Sequence, residues 1–279
     1  MTRRQFLLSL FAAGAGGLTY SRFIEPQWLE VSEVTVRLPK ARLKAPVTIL
    51  HLSDLHWSKV VGLSFIGKAL ALGLARQPDL ICLTGDFITT QERYDFSPYV
   101  DLLKNLCQTT PTFAVLGNHD GGAWSVYHGG VGTPDEVVNL LKSSGIMLLS
   151  NQSRPISIKG NVLYLVGVDD LWSERLNPQQ AFRDVPEGRA DATIVLAHNP
   201  DSKEWMGQYA WDLMLSGHTH GGQIVIPFLG APFAPVRDLR YVAGLNPWNE
   251  RWIYTTRGVG NLWGIRINCR PQVSMLHVE

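Results

Sequence analysis

The chain has 279 residues, 45% of them hydrophobic and 18% charged, enough to bury a full core without disulfide or metal staples. Its 25 basic and 24 acidic residues leave a net charge of +1, which argues against a protein held on nucleic acid through phosphate contacts. An aromatic content of 10% argues against disorder, and the odd, widely spaced Cys82, Cys107 and Cys269 form no disulfide or zinc framework.

In chain order, residues 1–25 come first. They open on Arg3-Arg4-Gln5-Phe6-Leu7, continue in a mildly apolar stretch to Tyr20 diluted by Gly14, Gly16 and Gly17, and hold no acidic residue before Glu25. A charged start, an apolar middle and the small residues Ala13-Gly14-Ala15 are the parts of an export signal. The Arg-Arg-x-Phe-Leu pattern resembles a twin-arginine signal, although Leu8 stands where that motif often has lysine. The uninterrupted stretch from Gln5 to Ser21 is shorter than the ~20 residues of a comfortable transmembrane helix. The expectation is a cell-envelope protein that meets the twin-arginine export machinery. If the segment stays uncleaved, it becomes a membrane tether, and a cytoplasmic-face location is then open.

Residues 26–45 read as a lead-in strand followed by a basic linker. Leu29, Val31, Val34 and Val36 alternate with polar residues, and Arg37, Lys40, Arg42 and Lys44 form a solvated edge or, alternatively, a patch for an anionic membrane. Residues 46–279 read as one domain without internal repeats. Apolar strand-like runs cover 47–52, 80–84, 113–116, 162–168, 193–197, 213–215 and 252–255. Helical spacing covers 63–76, and Thr133-Pro134-Asp135-Glu136 has the form of a capping box with proline at the first helical position. Strands alternating with helices, in runs too apolar to be half solvated, predict an α/β fold with buried sheets covered by helices.

Five of these runs end in residues able to bind metal. They are followed by Asp54-Leu55-His56, Gly85-Asp86, Gly117-Asn118-His119-Asp120, His198-Asn199-Pro200 and Gly217-His218-Thr219-His220. Ligand sites of α/β sheets gather outside the carboxyl ends of strands, so these groups can converge. Each alone has an ordinary explanation: a surface Asp-x-His, a Gly-Asn turn, a hydrogen-bonded structural histidine. Together they hold five of the eight histidines, leaving His51, His128 and His277 as structural.

The ordered set Asp-x-His, Gly-Asp, Gly-Asn-His-Asp, His and Gly-His-x-His resembles the calcineurin-like metallophosphoesterases, over roughly residues 46–279. The start of the chain, Ala197-His198-Asn199-Pro200-Asp201, the run from Gly217 to Gln223 and Tyr254-Thr255-Thr256-Arg257-Gly258 are similar to the YaeI-type phosphodiesterases of bacteria. The resemblance implies a four-layer α/β/β/α sandwich holding two divalent metal ions (Mn, Fe or Zn). It places Asp54, His56, Asp86 and His220 on one ion and Asp86, Asn118, His198 and His218 on the other, with Asp86 bridging, and makes His119 catalytic. The implied reaction is attack of a metal-bound hydroxide on a phosphodiester, with His119 assisting the leaving group. One departure bears on this: Phe87-Ile88-Thr89 follows Gly85-Asp86, where the protein-phosphatase branch has an Asp-Arg pair that supplies a carboxylate to orient the histidine.

Trp57, Trp124, Trp172 and Trp263 crowd the loops after the strands. They either pad the sandwich or rim a site for a sugar, nucleotide or lipid group. Arg257 and Gln223 are candidate phosphate contacts. The expected partner is a phosphate ester, lipid- or nucleotide-linked, with peripheral membrane association and no nucleic acid. The alternative activity is a UDP-2,3-diacylglucosamine pyrophosphatase of lipid A synthesis at the membrane. A structural metal site in a binding protein is disfavoured, because all seven ligand-type residues and His119 are present.

Overall fold

Aliphatic runs form the strands, and the computed structural model describes them within residues 1–89, 95–186, 188 and 190–279. The first sheet contains β1 (Glu30–Val36), β2 (Val47–Leu52), β3 (Leu80–Thr84), β4 (Thr112–Val115), β5 (Met147–Leu148) and β12 (Gln272–Val278), in the order β1-β12-β2-β3-β4-β5. The second contains β6 (Gln152–Ile158), β7 (Asn161–Gly167), β8 (Ala192–Leu196), β9 (Leu213–Ser216), β10 (Gly244–Trp248) and β11 (Arg251–Thr255), in the order β10-β11-β9-β8-β7-β6. Neighbours from β2 through β5, and from β11 through β9 and β8 to β7, are parallel. These parallel strands carry the five motifs at their carboxyl ends.

Both faces of both sheets are covered, which is why the runs are continuously apolar rather than alternating. Ile49, Cys82 and Val115 of the first sheet meet Leu165, Leu196 and Leu215 of the second in the middle layer. On the outer face of the first sheet, Leu50, Ile81 and Ala114 pack under α2 (Leu63–Leu74), α3 (Ser97–Cys107) and α5 (Asp135–Ser144). Outside the second sheet, Val195, Met214 and Ile253 lie under Phe182 of the short α6 (Pro178–Phe182) and under Trp211 and Tyr241. The expected four-layer α/β/β/α sandwich is present.

Differences from the sequence reading have local causes. No side-chain hydrogen bond caps α5, which opens at Asp135 after Pro134, so Thr133 does not form the expected capping box. The edge strands β6 and β10 each contain a proline, Pro155 and Pro247, which breaks the strand signal but is tolerated where no neighbour needs the N–H. β12 carries Ser274 and His277 and pairs with both β1 and β2, stitching the two ends of the chain together. The basic residues of 26–45 form exposed ion pairs, Arg37 with Glu279 at 2.7 Å and Lys40 with Glu250 at 2.6 Å.

Before β1, α1 (Arg3–Thr19) runs into a turn over residues 20–27. Among the described residues, no helix is long and apolar enough to cross a membrane. The root of this segment is part of the folded domain: Ser21, Glu25 and Pro26 are buried, Arg266 N–H donates to the Ser21 carbonyl at 3.0 Å, and the Cys269 N–H donates to the Glu25 carboxylate. A boundary at residue 25 therefore cuts through packed chain.

Candidate metal centre

The five strand ends are tied to one another by the backbone. Asp54 N–H and His56 N–H donate to the carbonyls of Gly85 and Asp86, both at 2.9 Å, and Gly217 N–H donates to the His198 carbonyl at 3.0 Å. His119 N–H donates to Asp86 Oδ1 at 2.9 Å, and His218 N–H donates to Asp54 Oδ2 at 3.1 Å. The turns are so tight that a Cβ on Gly117 would stand 2.2 Å from Asp86 Oδ1. A Cβ on Gly85, at φ +87°, would meet Gly117 N at 2.5 Å. Asp54, His56, Asp86, His218 and His220 all adopt positive φ, between 49° and 69°. This conformation costs ~1–2 kcal/mol per residue, and such strain clusters where a site must aim side chains inward.

All seven expected ligand residues are brought together and buried. Donor atoms of Asp54, His56 and His220 form one group able to hold an ion, and those of Asp54, Asp86 and His198 form a second. Asp54 is common to both groups; Asp86 Oδ2 lies 3.5 Å from His56 Nε2 and 3.1 Å from His198 Nε2, within reach of a histidine of each. Asn118 Oδ1 lies 3.0 Å from His198 Nε2, and His218 Nδ1 lies 3.3 Å from it.

The donor set fits cations by its own chemistry. His198 Nδ1 is 2.6 Å from the Thr84 carbonyl, which only accepts, so Nδ1 carries the proton. A neutral ring would then turn its Nε2 lone pair onto the oxygens of Asp86 and Asn118, a repulsive arrangement that a cation relieves. Burial opposes charge on His198, but Asp86, Asp54 and Asp170 outweigh it and raise its pKa well above the usual value. His56 Nε2 and His220 Nε2 likewise face each other at 3.0 Å. Burial pushes His56 down to about 3 and lifts Asp54 to about 6. Burial also acts to raise Asp86, but the surrounding His198, His119 and His56 hold it well below the carboxylate range. Imidazole, carboxylate and amide donors suit Mn, Fe or Zn.

The centre opens into a cavity of about 440 Å³ lined by His119, Trp124, Trp172, Gln223, Phe233 and Trp263 among others. Trp124 packs edge-on against His119 at 4.9 Å, and Trp172 edge-on against His218 at 4.2 Å. Three of the four expected rim tryptophans therefore line the cavity. Trp57 does not, because it is buried against Phe96 and Tyr99. Arg257 does not line the cavity: its guanidinium lies 2.9 Å from Glu30, and of the expected pair Gln223 is the one on the cavity wall. His128, read as structural, stacks on Trp124 at 3.8 Å and lines the cavity; it lies just past α4 (Ala123–Tyr127), outside any motif. His51 is structural as expected, buried with Nε2 2.8 Å from Thr84 Oγ1. Consistent with the missing Asp-Arg pair, His119 Nδ1 has no hydrogen-bond partner among the described residues.

Two further residues that shape the site were not found from sequence. Asp120 Oδ2 accepts the N–H groups of Asp86 and Gly117, both at 2.8 Å, and its Oδ1 accepts that of Phe87 at 2.7 Å. Arg266, fully buried, donates to the carbonyls of Cys269 and Arg257 at 2.9 Å each and to that of Gly260. Asp120 was visible as the last letter of Gly-Asn-His-Asp; Arg266 had no signal.

Two mixed sheets and a buried Asp/His centre at their shared edge define the class. The chain belongs to the calcineurin-like phosphoesterase family, which it matches over residues 47–222. It is 46% identical to the phosphodiesterase YaeI of Escherichia coli (strain K12), over 100% of this chain and 99% of that protein. It is 25% identical to the UDP-2,3-diacylglucosamine pyrophosphatase LpxG of Chlamydia muridarum, over 97% of this chain and 95% of that one. Among solved structures, the NAD nucleotidase NadN of Haemophilus influenzae shares the fold at a TM-score of 0.51 and 16% identity, across 77% of this chain and 45% of that one.

Proposed function

We propose that this chain is a metal-dependent phosphodiesterase of the cell envelope. The observation that carries the reading is Asp86 Oδ2 within reach of both His56 and His198, in a chain similar over its full length to a phosphodiesterase. Asp54, His56, Asp86 and His220 would hold one divalent ion, and Asp86, Asn118, His198 and His218 a second. Two such ions, when bound, supply a hydroxide nucleophile at neutral pH and neutralise charge on the phosphoryl oxygens.

The chain's own side chains do the rest. The positive-φ turns aim the ligands inward, and Trp124 and Trp172 pack against His119 and His218, so the buried ligand groups act in a low-dielectric surround. Burial lowers the pKa of His119 against the pull of Asp86, so at neutral pH the ring is a neutral imidazole. Lining the cavity, it hydrogen-bonds through one ring N–H to the oxygen that leaves when the P–O bond breaks, and that oxygen takes its proton from water. Gln223 lies on the same wall and suits a phosphate contact. The Arg3-Arg4 start supports export through the twin-arginine machinery. The pyrophosphatase alternative rests on a relative at 25% identity and ranks second.

The test uses the purified full chain, stripped of metal and resupplied with Mn²⁺, on an aryl phosphodiester and the matching monoester. The diester is expected to be cleaved only with metal, and Asp86→Asn to lose both turnover and bound metal. His119→Ala is expected to keep its metal and lose about 10²–10³-fold in kcat, the scale of one lost hydrogen-bond donor to developing charge. Faster turnover of the monoester, or full activity without metal, would overturn the reading.

A further inference from the structure

Three neighbouring segments carry large apolar side chains out into solvent. Phe11, Leu18 and Phe23, on α1 and the turn after it, are more than two-thirds exposed. Phe228 stands fully free, beside Leu229, at the tip of a tight loop closed by Ile226 N–H to the Gly230 carbonyl at 2.8 Å and Gly230 N–H to the Ile226 carbonyl at 2.9 Å. The third segment is the cavity lip itself, with Phe233 at 68% and Trp263 at 65% exposure.

One stretch of chain, 261–269, joins all three. Arg22 Nη1 donates to the Gly264 carbonyl at 2.9 Å, and Arg266 N–H to the Ser21 carbonyl at 3.0 Å, so the helix root is fastened beside Trp263. Val225 N–H donates to the Ile267 carbonyl at 2.9 Å, and Ile267 N–H to the Gln223 carbonyl at 3.0 Å, so the Phe228 loop is fastened to the same stretch. The charges point to the occupant. Residues 1–24 contain Arg3, Arg4 and Arg22 and no acidic residue, which suits an anionic lipid surface. No charge interrupts the chain from Gln5 to Ser21, and the exposed Phe11 and Leu18 of that stretch gain from apolar surroundings. Among the described residues no helix is long and apolar enough to cross a bilayer; what carries the surface is the exposed aromatic and aliphatic side chains of the three segments beside these arginines.

We propose that this platform seats on an anionic bilayer with the cavity mouth at headgroup level, and that the substrate is a phosphodiester carrying an apolar chain. The substrate half rests on the phosphodiesterase reading; the surface half does not. Full-length protein is mixed with phosphatidylcholine vesicles, with and without phosphatidylglycerol, and its partition is read by flotation. It is then assayed on hexadecyl p-nitrophenyl phosphate held in those vesicles and on soluble methyl p-nitrophenyl phosphate. Binding is expected to require phosphatidylglycerol. The double variant Phe228→Ser/Leu229→Ser is expected to lose about tenfold or more in partition and in turnover of the vesicle-held ester, with methyl-ester turnover unchanged, which also shows that the variant is folded. Absence of vesicle binding, equal binding by the variant, or self-association in its place would overturn the surface. Vesicle binding with no preference for the hexadecyl ester would overturn the substrate class. Vesicle binding without cleavage of either ester would overturn the phosphodiesterase reading and leave the surface supported.

Discussion

Asp120 hydrogen-bonds to backbone N–H groups of the site and sets the position of two turns. Its carboxylate gathers three buried N–H groups, from Asp86, Phe87 and Gly117. Asp120→Ala leaves all three unpaired, at about 1–3 kcal/mol each. Asp120→Asn keeps one carbonyl oxygen for the Asp86 and Gly117 pair. Urea unfolding is therefore expected to show a loss of several kcal/mol for Ala and a smaller one for Asn, with metal content falling in the same order. His51 gives the pH dependence. Burial lowers its pKa from 6.5 to about 3, so between those values the unfolded chain binds a proton that the folded chain refuses. Its share of stability is complete above pH 6.5 and drains away as pH falls toward 3. Between pH 7 and pH 5 this amounts to about 2 kcal/mol, 1.5 pH units below 6.5 at ~1.4 kcal/mol each. Urea midpoints of the metal-free protein are expected to fall over that interval, and less steeply in His51→Gln.

At the scale of elements, the turns after the parallel strands matter more than the strands. β3 and β4 can bring their ends together only because Gly85 and Gly117 let the two backbones touch. Gly117→Ala would push a methyl into Asp86 Oδ1, 2.2 Å from the ideal Cβ position. We expect this variant to fold and to lose at least about 100-fold in diester turnover, on the scale of displaced metal ligands. Gly62→Ala, whose Cβ meets nothing within 4 Å, is the matched control and is expected to keep full activity. Equal activity in the two would mean that the turn relaxes and the close approach is dispensable.

At the scale of the whole molecule, the N-terminal segment and the last strand close the fold. β12 lies between β1 and β2, and Glu25 satisfies the buried Cys269 N–H. Removing residues 1–19 takes away only the exposed helix and is expected to leave Tm unchanged. Removing residues 1–28 also exposes the contacts of Ser21, Arg22 and Glu25, and Tm is expected to drop by about 4–8 °C for a loss of ~2 kcal/mol. Differential scanning calorimetry of the two truncations decides whether residues 20–28 belong to the domain.

Aliphatic runs bounded by glycine and polar residues determine β2, β3, β4, β8 and β9 by composition alone, since a strand buried on both faces must be apolar throughout. The polar residues that follow them supply the proposed ligand set, because a core does not readily tolerate them there without a charge to hold. Neighbours, not local pattern, decided the rest. Pro155 and Pro247 are acceptable only because β6 and β10 are edges, and β12 is a strand because it has a partner on each side. Trp57 went to the core and His128 to the cavity according to what packs beside them. Arg257 was taken by Glu30, more than two hundred residues away in the chain. Sequence carries the burial preference and chemistry of each residue; which distant group it meets depends on how the two sheets stack, and that is settled only when the whole core closes.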